Sequence, residues 1–232
     1  MDIGKAFGFV FEDEQWIVKI LIAAAILLLG ILFSWVVLVP LIVAAALVAG
    51  YSFEITRRVI QGDPNPLPEW DNWGKLISEG IQVIVIGIVY ALPAIIVSLC
   101  LGIPAGIFAD QAEGVASFLS VLSSCLNVLW SIVVSIVLPA AIAFFAAEGE
   151  LGAAFRFGEI FAFVRDNFVT YLITFVMSWV ASLIGALGLI VCGLGVFVTA
   201  PYGYVVTGHL YGQAYLEGKG QMAQPVLEEE VA

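Results

Sequence analysis

Along the chain, hydrophobic positions gather into four long runs separated by short polar stretches, with no period-2 alternation. A bilayer core about 30 Å thick takes roughly 20 helical residues at 1.5 Å each, so the runs can be counted in spans. The first, Trp16 to Phe53, carries Lys19 as its one charge and as a single helix would reach about 55 Å. It has to turn back. Pro40 removes an amide donor and biases Val39 away from helix. This predicts a turn between Phe33 and Val39, with spans at Trp16 to Ser34 and Val37 to Arg58.

A third span is predicted over Leu76 to Ile103, kinked at Pro93, with Pro104, Gly106 and Gly114 punctuating its exit. The uncharged run Val115 to Ala147 is too long for one upright helix and short for two with a turn, and Pro139 is its obvious break. The last run, Phe168 to Tyr215, holds two spans, with the turn marked by Gly185, Gly188, Gly193 and Gly195. Charge decides the parity, because cytoplasmic loops are enriched in Lys and Arg. With the Val115 to Ala147 run crossing once, six spans place Lys5, Lys19, Arg57, Arg58, Lys75, Arg156, Arg165 and Lys219 on one side. Seven would put Arg156 and Arg165 outside. The expectation is an all-α, polytopic membrane protein with six transmembrane helices, both termini cytoplasmic, in the plasma membrane.

Composition agrees with the pattern. The 232 residues are 62% hydrophobic and 12% charged, against roughly 25% charged in soluble domains. A net charge of -11, with eight Lys and Arg against nineteen Asp and Glu, argues against nucleic acid as a partner. The same composition excludes a disordered chain and a secreted disulfide scaffold.

Met1 to Gln15 contains Asp2, Glu12, Asp13 and Glu14 and lacks the apolar stretch of a signal peptide, so it reads as native sequence. Ile3, Phe7, Val10 and Phe11 recur at helical spacing there, and Leu151 to Val164 forms a second such segment. Both are expected to be short amphipathic helices lying in the interface. An amphipathic lead followed by a helical hairpin thus occurs twice, at 3–61 and 151–217, as in a parallel repeat within one transmembrane domain, 1–218. Residues 219–232, with Glu228, Glu229 and Glu230, read as a solvated acidic tail.

Between the second and third spans, Pro64, Pro66 and Pro68 enforce an extended path, and Trp70 and Trp73 follow where a helix would begin. Asp71 or Asn72 is the expected N-cap. The tryptophans read as headgroup-level anchors or, alternatively, as a docking site for a cytoplasmic partner. Gly50-Tyr51, Arg57-Arg58, Leu67-Pro68-Glu69-Trp70-Asp71-Asn72-Trp73-Gly74, Gly80 and Tyr90-Ala91-Leu92-Pro93 together resemble the prokaryotic membrane family called domain of unknown function 4013. The resemblance is carried by Trp16 to about Val97. It implies a multi-pass prokaryotic membrane protein and supplies no activity, cofactor or functional residue. The six-helix plan is also loosely similar to membrane domains attached to some glycerophosphodiester phosphodiesterases, without a catalytic domain among these residues.

Glu54 to Arg58 and Lys75 to Glu79 are spaced for helical ion pairs. Arg57 and Arg58 could instead clamp an anionic lipid phosphate. Arg57, Arg58, Trp70, Asp71, Trp73 and Lys75 are therefore the candidate contacts for lipid phosphate or for a partner. His209 reads as a helix-end hydrogen-bonding group. Asn127, Ser123, Ser124, Thr174, Ser178 and Thr199 read as bridges between helices, and the small pairs Ala46/Gly50 and Gly208/Gly212 as close-packing points. Tyr204, Tyr211 and Tyr215 read as a packing stripe or interfacial belt. Cys100, Cys125 and Cys192 read as small buried hydrophobes.

Dinucleotide, phosphate-loop, zinc-protease and nucleophile-elbow motifs do not occur, and no metal or cofactor is expected. The leading expectation is a non-enzymatic scaffold, accessory subunit or lipid-organising bundle, with membrane lipids, a membrane-protein partner or a second copy as its company. The alternatives are a transporter or channel for a small neutral or lipidic molecule, and a lipid-headgroup enzyme built on Glu54, Glu69, Asp71 and His209.

Overall fold

Long runs of Leu, Ile, Val and Ala without charge leave the backbone no polar partner except itself, and helix is the outcome. The computed structural model describes residues 1–34, 39–190 and 195–220. Helix α1 is Ile3–Gly8, α2 Trp16–Ser34, α3 Val39–Ile60, α4 Trp73–Phe108, α5 Glu113–Glu148, α6 Phe157–Asp166, α7 Phe168–Leu187 and α8 Val196–Gly218. Short 3-10 turns lie at Phe9–Glu12, Leu151–Phe155 and Gly188–Ile190. Most of the expected first turn, Cys192, Gly193 and the acidic triplet fall outside the described residues.

Helices α2, α3, α4, α5 and α7 are long and apolar enough to cross a membrane. Helix α8, with 23 residues, has the length of α3 but is not among these five. The prolines do less than the sequence suggests. Pro104 and Gly106 lie inside α4, Gly114 sits in the first turn of α5, and Pro139 lies within an unbroken α5. An in-helix proline loses one hydrogen bond, whereas a break in an apolar environment would orphan several carbonyls, so the helices continue.

Neighbouring helices approach at glycines. Gly50 of α3 lies on the Leu76 backbone of α4, and Gly80 lies on the Ala46 carbonyl, which makes this pair antiparallel and leaves no room for a Cβ at either glycine. Gly208 and Gly212 of α8 rest on Ser52 and on Thr56 and Val59 of α3. There the helices are parallel and cross-linked, with Ser52 Oγ donating to the Tyr204 carbonyl and Thr56 Oγ1 to the Gly208 carbonyl, each at 2.9 Å. Both small-residue pairs named from the sequence are therefore contact points.

Helix α3, with 22 residues, covers the first part of α4, with 36; beyond it α4 packs on α5. Asn127 bridges that hairpin, donating to Ser98 Oγ at 3.1 Å. Its outer faces are apolar and exposed, for example at Ile96, Ile103, Phe118 and Leu129. Cys100 and Cys125 sit on these faces as free, exposed thiols, which corrects the expectation that they are buried.

The buried core lies toward the other end, where Phe53 stacks on Phe145 and Phe144 and Phe163 meet Tyr215 edge-on or tilted. That end gathers the starts of α2, α4 and α7 with the ends of α3, α5 and α8. Arg57, over the Phe53 ring, and Arg156, paired with Glu148, both belong to it. The two leading segments also dock here. The buried positions of the first are Ala6, Phe9 and Val10, while Ile3 and Phe11 are exposed. Of the four expected apolar positions, Val10 is buried and Phe7 packs beside Val206 and Leu210, whereas Phe11 is turned outward within the 3-10 turn that begins at Phe9. The second segment buries Ala153, Ala154, Ile160 and Val164 against the core.

Candidate functional site at the charged end

The segment from Gln61 to Asn72 is held at almost every step. Gly62, two residues past the end of α3, adopts φ +74°, a left-handed conformation that glycine takes without strain. Asp63 then turns the chain by accepting from the Asn65 N–H at 2.9 Å. Pro66, Leu67 and Pro68 are buried. Tyr51 donates its hydroxyl to the Pro68 carbonyl at 2.8 Å, and its ring stacks on Trp70 at 4.2 Å and 10°. Trp70 Nε1 donates to the Lys19 carbonyl at 3.1 Å. Asn72, one of the two expected caps, accepts from the Lys75 N–H at 3.3 Å and starts α4.

Lys19 is the centre of this lock. Its side chain is 3% exposed, with Nζ 2.7 Å from Asp13, 2.6 Å from Glu69 and 3.3 Å from the Leu67 carbonyl. Burial pushes the Asp13 carboxyl up, but the Lys19 ammonium and the Gln15 N–H outweigh it and hold Asp13 below the usual carboxylate range. The sequence pattern places Lys19 among the cations on one side of the membrane but names no partner for it. The missed signal was a lone cation five residues after the acidic run Glu12-Asp13-Glu14, since an amine at the entry of an apolar span needs a carboxylate near it.

A second cluster surrounds Glu54. Its carboxylate, with the side chain 12% exposed, meets Arg57 at 2.8 Å, Lys75 at 2.9 Å and Arg58 at 3.4 Å. Arg57 also reaches Glu79 at 2.7 Å, and Arg58 lies 3.9 Å from Asp63. Of the two intrahelical pairs expected, Glu54 to Arg58 forms. Lys75 and Glu79 instead pair across to α3, tying the two helices together. Three cations thus face three carboxylates, so a phosphate approaching Arg57 would have to displace both Glu54 and Glu79. Of the remaining candidates, Asp71 and Trp73 are exposed, Trp70 is part of the loop lock, and Arg58 and Lys75 retain partial exposure beside their carboxylates.

His209 is 3% exposed and packs on the Phe9 ring at 4.3 Å, with Nδ1 buried and unpartnered. It is not a helix-end hydrogen-bonding group. Among the described residues, no three His, Cys, Asp or Glu side chains are gathered so as to hold a metal, so Glu54, Glu69, Asp71 and His209 are not brought together as one.

Long apolar helices with exposed hydrophobic faces, closed at one end by paired charges, define a helical, multi-pass membrane protein. The family described as Protein of unknown function (DUF4013) matches residues 32–194, and the chain belongs to it. The match begins late in α2 and continues far past Val97, so the second half of the chain carries the family pattern as well. No curated protein and no solved structure matches the chain.

Proposed function

We propose that this protein is a six-span integral membrane scaffold that organises the lipid around it, with the charged end and both termini in the cytoplasm. Two considerations support counting α8 as the sixth span. It has the length to cross, and it lies parallel to α3 in the interior of the bundle, where neighbours shelter its polar residues. All eight cations belong to segments at one end, as expected for a cytoplasmic face. Amphipathic leads at that level lie along the interface, and the recurrence of lead and hairpin at 3–61 and 151–217 makes the bundle a parallel repeat. The contacts Ser52 to Gly208 and Thr56 to Gly212 join positions equally far from the ends of the two copies, Gln61 and Glu217, as a two-fold relation between α3 and α8 would require.

The single observation that carries the scaffold reading is that Lys19, Arg57, Arg58 and Lys75 are already matched by carboxylates. Such an edge is built to hold helices in place. Single cysteines at Asn65, Gly152 and Gln111 test the threading: Asn65 and Gly152 should label from the cytoplasmic face and Gln111 from the opposite face. Labelling of Asn65 and Gly152 from opposite faces would overturn it. The function is tested by purification in mild detergent, with identification of lipid and protein that copurify. Transport is the second reading, favoured by a cavity beside α8. Liposomes that pass a panel of neutral solutes when they carry the protein would replace scaffolding with transport.

A further inference from the structure

One face of α8 is marked by tyrosines in the sequence and left open by the packing. Tyr204, Thr207 and Tyr211 recur at helical spacing along it, whereas Tyr215, the third tyrosine of the stripe, turns into the aromatic core. The open face borders a cavity of about 490 Å³ toward α3, α4 and α5, walled by Val48, Phe53, Val83 and Ile142. It also borders one of about 430 Å³ toward α7, which includes Ser178 and Ser182. A third, of about 210 Å³, lies where α5 meets α7. Tyr211 lines all three, so its side chain stands where they adjoin and each is an arm of the hollow around it. The two larger arms have the size of small-molecule sites.

The donors in this cleft fall into two groups. Ser52, Thr56 and Thr207 give their hydroxyls to backbone carbonyls. Among the described residues, the hydroxyls of Tyr204 and Tyr211 have no partner, and Ser178 Oγ is buried and also without one. An O–H in apolar surroundings calls for an acceptor. Among the described residues, no Lys, Arg, Asp or Glu lines any arm, so a charged ligand would be buried uncompensated. The wall residues Leu41 and Tyr204 are 38% and 52% exposed, which sets the mouth in the apolar belt and away from the charged end. A molecule entering there comes from the hydrocarbon.

We propose that this cleft binds a neutral, apolar-chain molecule carrying a carbonyl acceptor, as a glycerolipid ester or a quinone offers. The proposal rests on the membrane reading above. The carbonyl accepts from Tyr211 at the meeting point of the arms, and the chain lies along Val48, Phe53, Val83 and Ile142. Tyr204 supplies a second donor at the mouth.

The test uses the full chain in phosphatidylcholine nanodiscs with a diacylglycerol carrying a diazirine in its acyl chain, and peptide mapping after illumination. Labelling is expected on α3 between Leu41 and Thr56 and on α8 between Tyr204 and Tyr211. Excess dioleoylglycerol or decylbenzoquinone displaces it, the more effective competitor identifying the source of the carbonyl, and anionic dioleoylphosphatidylglycerol does not. Combined Tyr204→Phe and Tyr211→Phe weakens displacement about tenfold, the effect of losing two neutral hydrogen bonds. Thr207→Trp fills the cleft and removes the labelling; the tyrosine pair keeps the test decisive if that variant misfolds.

Undisplaced labelling spread over Ile96 and Phe118, or competition by the anionic lipid, means ordinary boundary lipid and overturns the proposal. An unaffected tyrosine pair, or cross-links between two copies through α8, overturns it as well. Insertion with undisplaced labelling refutes the cleft alone, whereas failure to insert refutes the membrane reading and the cleft with it.

Discussion

Replacing Lys19 by Met separates the two ion pairs that meet at its ammonium. The Asp13 side chain is 4% exposed and the Glu69 side chain 60% exposed, so the same cation takes part in one desolvated pair and one solvated pair. The solvated pair contributes about 0–1 kcal/mol. Removing one partner of a desolvated pair costs about 3–5 kcal/mol, because the other charge is left buried. Lys19→Met should therefore lower the midpoint of thermal unfolding, followed by tryptophan fluorescence in detergent, by about 10 °C, taking 2–4 °C per kcal/mol for a chain of this size. Glu69→Gln should shift it by less than about 4 °C. Adding Asp13→Asn to Lys19→Met should recover a large part of the loss, since the stranded carboxylate is then gone. A double variant no more stable than Lys19→Met, or a Glu69→Gln loss as large as that of Lys19→Met, would refute the reasoning.

Three further outcomes follow from the same contacts. Asp13 is held below its ordinary value, so its stabilisation is complete above the unfolded value of about 3.9 and is lost as pH falls through the lower folded value; protease cleavage near Gln15 should stay flat from pH 7 to about 4 and rise only below. Gly80→Ala places a Cβ against the Ala46 carbonyl and should force α3 from α4 at a cost of about 1–3 kcal/mol, seen as a lower unfolding midpoint, whereas Gly87→Ala, with open space beside it, should be neutral. Tyr51→Phe keeps the stacking on Trp70 and loses the bond to the Pro68 carbonyl, so it should cost about 1 kcal/mol and raise cleavage between Gln61 and Asn72.

Membrane residence, the bounds of α2 and the start of α7 follow from local sequence, because an apolar run of bilayer length has few stable conformations other than helix. The Asn72 cap and the small-residue contacts were legible for a related reason: each depends on a residue type at a fixed spacing. Helix ends at prolines were not, since continuing through Pro104 and Pro139 depends on what surrounds them.

Pairing was decided by tertiary structure. Lys75 and Glu79 were spaced for each other, yet packing of α3 on α4 at Gly50 and Gly80 brings Glu54 and Arg57 nearer and exchanges the partners. The partners of Lys19 and the unoccupied hydroxyls of Tyr204 and Tyr211 have the same origin. A charge or hydroxyl on a helix fixes that a partner is needed, and only the crossing of helices far apart in the chain determines which group supplies it.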